Sequence, residues 1–124
     1  MPPRFRSRSV ATGFSLEGIF QVMFDAAKNS LQQNVRSKWP KIRDLTTASI
    51  KDIAQNFIDI KELSDSGAIT QEQAKLKISL QKNAFQTMLL TEKGIGLIIV
   101  EDALNSALNA AKKVVNTAVG FVLI

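Results

Sequence analysis

Between Arg36 and Arg43 the chain sets four cations, Arg36, Lys38, Lys41 and Arg43, around Trp39, its single tryptophan. That grouping has a recognisable chemistry: ammonium and guanidinium groups attract phosphate or carboxylate, while an indole among them stacks on a base or sits at a lipid headgroup boundary. Arg4, Arg6 and Arg8 carry the basic character back toward the start of the sequence. Arginine also pairs with carboxylates on protein partners, so these residues specify an anionic surface, lipid headgroups or nucleic acid among them, rather than one ligand. The tryptophan has a second reading. Standing before Pro40 at a helix junction, it can plug the end of a core, with the neighbouring cations merely solvating the corner. No sequence-reading nucleic-acid motif accompanies the cluster, so any such binding is expected to be driven by phosphate and weakened by salt.

Catalysis has few residues to draw on. The chain contains no Cys, His or Tyr, which removes thiolate and imidazole nucleophiles, the usual zinc ligands and the commonest general base. Asp59, Glu62 and Asp65 are close in sequence, but at helical spacing beside Lys61 they read as a solvated charged face. Glu101 and Asp102 lack the helical histidine partner that di-iron bundles require. Gly94 and Gly96 have neither a strand before them nor the Gly-Lys-Thr continuation of a phosphate loop, and serve as helix punctuation. The expectation is a non-enzymatic protein with no catalytic residue, cofactor, metal or small-molecule substrate.

The elements that must position these residues are helical. At 124 residues and 45% hydrophobic the chain is sized for one domain with a modest core. The net charge of +5 is uneven, because residues 1–43 hold every arginine and only Glu17 and Asp25 as acids. Residues 1–13, with Pro2, Pro3 and three arginines, read as a basic flexible arm. Residues 14–124 read as a single all-α domain, a four-helix bundle or helical-hairpin assembly, with helices over about 15–37, 41–64, 71–93 and 96–121. Ser15 caps the first, and Leu16, Ile19, Phe20, Met23, Ala27 and Leu31 form its apolar face. Pro40 pushes Trp39 toward an extended conformation and suits the first turn of the second helix. Ile42, Leu45, Ile50, Ile53, Phe57, Ile60 and Leu63 share that helix's apolar side. Gly67 can take a left-handed cap, and Thr70 with Gln73 has the spacing of a capping box, so helices two and three make an antiparallel hairpin.

The fourth helix carries the most apolar surface. Leu97, Val100, Leu104, Ala107, Ala111, Val114, Ala118 and Phe121 follow at alternating spacings of three and four, and the seam runs into Val122, Leu123 and Ile124. A surface that wide is expected to be an assembly interface, with the last four residues held in a groove, a subunit contact or a membrane surface. The uncharged stretch from Val114 to Ile124 is shorter than the roughly eighteen residues of a spanning helix.

The segment from Ile60 to Lys82, with Leu63, Ser66-Gly67, Ile69-Thr70, Gln73 and Lys77 in register, resembles the short helix-turn-helix of SHOCT-type segments. Gln73 stands where an acidic residue is usual in them. The resemblance implies a role in oligomerisation. Together these features point to a structural protein that self-associates or docks through its last helix, as a subunit of a larger particle such as a phage or virus-like structure, or of a membrane-apposed complex. The alternatives are a nucleic-acid-binding module using the basic N-terminal third, and a membrane-active helical protein. The expected partners are further copies of the chain or a larger protein assembly. With no recognisable secretion signal, the expected location is the cytoplasm or the inside of a particle, with peripheral membrane association as a further option.

Overall fold

A computed structural model describes residues 14–124, and it is all-helical. Four α-helices follow in order: α1 (Leu16–Val35), α2 (Trp39–Asp65), α3 (Gln71–Leu90) and α4 (Leu97–Val119), with one 3-10 turn at Arg36–Lys38 between the first two. The expected arm, with Arg4, Arg6 and Arg8, lies outside the described residues.

Two of the helices, α1 and α3, begin where a side chain satisfies free amides of the first turn. The Ser15 hydroxyl accepts from the Gly18 amide at 3.0 Å. At α3 the capping box closes in both directions, the Gln73 amide donating to Thr70 Oγ1 at 3.0 Å and the Thr70 amide donating to Gln73 Oε1 at 2.9 Å. The end of α2 is equally well defined: Gly67 takes φ +75°, and the amides of Gly67 and Ala68 return to the carbonyls of Ser64 and Leu63.

The junction of α1 and α2 differs from expectation. Trp39 is helical, at φ −53° and ψ −47°, and α2 starts with it; the break falls instead at Val35, at φ −142° and ψ 52°. A residue before proline normally avoids the helical region, but packing overrides that preference here. Trp39 is only 9% exposed, and its ring lies 6.0 Å from that of Phe24 on α1. The ends of the last two helices come earlier than the spacing suggested. α3 stops at Leu90 and α4 at Val119, where Gly120 at φ +85° donates its amide to the Asn116 carbonyl.

The helices close on themselves, since α1 packs extensively on α4, next on α2, and α2 on α3, while the α3–α4 contact is thinner. A polar link ties the first helix to the last: Ser30 Oγ donates to Asp102 Oδ2 at 2.6 Å, and Asn34 Nδ2 reaches the same oxygen at 3.3 Å. The core runs through Met23, Ala27 and Leu31 of α1, Ile50, Ile53 and Phe57 of α2, Phe85 and Leu89 of α3, and Val100, Leu104 and Ala107 of α4. Two hydroxyls within it, on Thr46 and Ser49, have no hydrogen-bond partner among the described residues.

Candidate functional site

Two parts of the surface are chemically distinctive. The first lies between α1 and α2. Phe20, Phe24 and Trp39 form an aromatic row there, the two phenyl rings 5.4 Å apart and within 19° of parallel, and the indole tilted at 51° to Phe24. Around that row is a depression of about 410 Å³, whose lining includes Lys28 of α1 and Arg43 of α2. A second depression of about 460 Å³ adjoins it through the shared residues Phe20 and Thr47 and reaches Lys51 and Leu16. Together they make one groove with an aromatic floor and cations contributed by both helices.

The structure divides the cationic cluster read from the sequence. Of Arg36, Lys38, Trp39, Lys41 and Arg43, only Trp39 and Arg43 line the groove. Lys38 reaches the other way and lies over the α3–α4 turn, so close that a Cβ on Gly94 would stand 3.1 Å from its Cε. That contact places the α1–α2 and α3–α4 connections at one end of the fold. Arg36 and Lys41 are exposed. Two groove cations, Lys28 and Lys51, are absent from the sequence-derived set. The signal that would have found them is the helical register: Phe20, Phe24 and Lys28 are four apart on α1, as Arg43, Thr47 and Lys51 are on α2.

The second surface is apolar. On α4, Val100, Leu104, Ala107 and Ala111 are buried by the chain's own helices, as is Leu123. Ala118, Phe121 and Ile124 are partly covered, which leaves Leu97, Val114 and Val122 as the exposed members of the expected assembly seam. The expectation that the whole seam meets a partner is therefore corrected to those few positions, because α1, α2 and α3 together occupy most of its breadth. The last residues are held by the chain itself. The Asn116 side chain accepts from the amides of Leu123 and Ile124 at 2.8 and 3.1 Å and donates to the Ile124 carbonyl at 3.0 Å.

The larger uncovered apolar surface is on α3. Leu76 and Leu80 are each 60% exposed, and Met88 and Leu90 are exposed as well. Leu76, Leu80, Asn83, Thr87 and Leu90 recur at spacings of four and three, the period of a helical contact seam. They lie opposite Ala74, Ile78, Phe85 and Leu89, which face the core. Just beyond, at the start of α4, Ile98 is 82% exposed.

The acidic residues do not assemble into a centre. Asp59 accepts from Gln55 Nε2 at 3.0 Å, Asp65 pairs with Lys61, and Glu62 is exposed. Among the described residues no group of three or more acids is placed to hold a metal ion, and no helix is long and apolar enough to cross a membrane. Compared with protein-family models, with curated proteins and with solved structures, the chain matches none of them.

Proposed function

We propose that the protein is a non-enzymatic assembly subunit, an up-and-down four-helix bundle that associates with further copies of itself through the outer face of α3. The observation that carries this reading is the exposure of Leu76 and Leu80 on a four-three-four-three seam, on the side of α3 that its own core does not use. Apolar side chains in that arrangement gain by burial against a second helix, at about 25 cal/mol per Å² of apolar area removed from water. Charge agrees with a parallel pairing of two such seams, since Glu72 and Lys77 flank the first turns at positions where one copy's acid meets the other's lysine.

The implied oligomerisation role of the SHOCT-like stretch, which spans the α2–α3 hairpin, fits the same reading. So does the lack of Cys, His and Tyr, which leaves surface contact as the richer resource of this chain. Sedimentation of the full chain beside a variant carrying both Leu76→Gln and Leu80→Gln tests it. The wild type is expected to sediment as a dimer or larger species at tens of micromolar, and the variant as a folded monomer. A wild type that stays monomeric at that concentration overturns the proposal.

A further inference from the structure

We infer that the groove between α1 and α2 is a binding site for single-stranded nucleic acid, with bases against the aromatic floor and phosphates on the cations along its walls. The floor is the row Phe20, Phe24 and Trp39: the two phenyl rings are partly exposed and offer the stacking faces, while Trp39, 9% exposed, packs against Phe24. Lys28 projects from one wall, and Arg43 and Lys51 from the other. Leu16 to Gln32, the limits of the groove along α1, span about 24 Å of helix axis. That is a track long enough for several successive bases rather than a socket for one.

The lining discriminates among anionic partners. Gln21, Gln32 and Thr47 also border the groove, and a lipid acyl chain laid there would cover their polar groups without offering a hydrogen bond. Base edges carry both donors and acceptors. An acidic peptide would satisfy the cations but leave no planar group for the rings, whereas every base has a face that stacks on an aromatic side chain. The one acid on the lining, Glu17, belongs to the part of the groove that holds Lys51. The charged side chains lining the Trp39 part are Lys28 and Arg43; Asp25, which accepts from Gln21 Nε2 at 3.0 Å, is not on the lining. Duplex DNA does not fit this arrangement, because its bases are already stacked within the helix. The inference is independent of the assembly reading, which concerns the outer face of α3.

The molecule supplies its own reporter. Trp39 is the single tryptophan and there is no tyrosine, so intrinsic fluorescence reads the groove. The full chain is titrated with an oligothymidine of about twelve nucleotides, within the range of known single-strand sites, at low and at moderate salt. Quenching of Trp39 is expected, with an affinity that falls with added salt; each of Lys28→Ala, Arg43→Ala and Lys51→Ala should lower the logarithmic salt slope by about 0.7. Phe20→Leu keeps the apolar volume but removes a stacking face, and should weaken binding roughly tenfold at unchanged helicity and melting temperature. Failure of the oligonucleotide to bind at low salt overturns the inference. So does binding that Phe20→Leu and Lys28→Ala leave unchanged, which would place the strand elsewhere, or inorganic polyphosphate binding as tightly as the oligonucleotide, which would reduce the site to charge alone. Quenching by phosphatidylserine vesicles without quenching by the oligonucleotide overturns it in favour of lipid. The Leu76→Gln, Leu80→Gln variant should bind the strand like the wild type, which keeps this result separate from the assembly test.

Discussion

α3 and α4 are neighbours of similar length whose apolar residues meet opposite fates. α4 carries the broader apolar face, and the fold consumes it: Val100, Ala103, Leu104, Ala107, Leu108, Ala111, Val115 and Val119 are all buried. α3 looks the more ordinary helix in sequence. It buries only Ala74, Ile78, Phe85 and Leu89, and it leaves leucines on its far side in water. The difference teaches that the breadth of an apolar stripe measures how many neighbours a helix has, not whether one of them is another molecule. α4 packs on all three other helices, whereas α3 packs appreciably on only two, α2 and α4.

The contrast can be broken by truncating side chains on each helix. Leu104→Ala on α4 should cost about 2–5 kcal/mol, because it opens a cavity at a site the surrounding helices cannot easily collapse. Denaturant unfolding with an unchanged m-value would confirm it; a loss below about 1 kcal/mol would mean that α4 is less tightly enclosed than its burial indicates. Asn116→Ala sharpens the comparison at the end of α4, where it removes three hydrogen bonds that hold Leu123 and Ile124. A loss of about 1–3 kcal/mol is expected, together with faster hydrogen exchange at those two amides. Leu80→Gln on α3 should move the stability of the monomer by no more than about 0.5 kcal/mol. Were it to destabilise as much as Leu104→Ala, the outer face of α3 would be part of the monomer's own packing and the comparison would fail.

Local chemistry was legible where it is set by residues close in sequence. Ser15, Thr70 with Gln73, and Gly67 specify their caps within a few positions, so the all-helical class and the hairpin between α2 and α3 could be read directly. Misreadings arose where distant residues decide the outcome. Trp39 enters the helix because Phe24 packs against it, and nothing next to Pro40 in the sequence records that contact. Lys28 and Lys51 share a helical register with Phe24 and Arg43, but which face of each helix meets the other is set by packing between residues distant in sequence. Gly120 is a local signal that the expected helix to 121 ran through: a glycine ahead of an apolar tail suits the left-handed stop it makes at φ +85°. Asp102, which the sequence shows only as an acid without a histidine partner, joins α4 to Ser30 and Asn34 of α1.

The link between Ser30 and Asp102 spans 72 residues of sequence, and this has a consequence for how the molecule is made. Ile19, Met23, Ala27 and Leu31 of α1 leave the ribosome long before the helix that covers much of them. At synthesis rates of about 5–20 residues per second, that interval is on the order of 4–14 s. During it, α1 and the α2–α3 hairpin hold apolar faces in water without their final neighbour. The nascent chain therefore passes through a window in which it exposes apolar surface prone to misassociation, and the emergence of α4 ends that window by supplying the missing wall of the core.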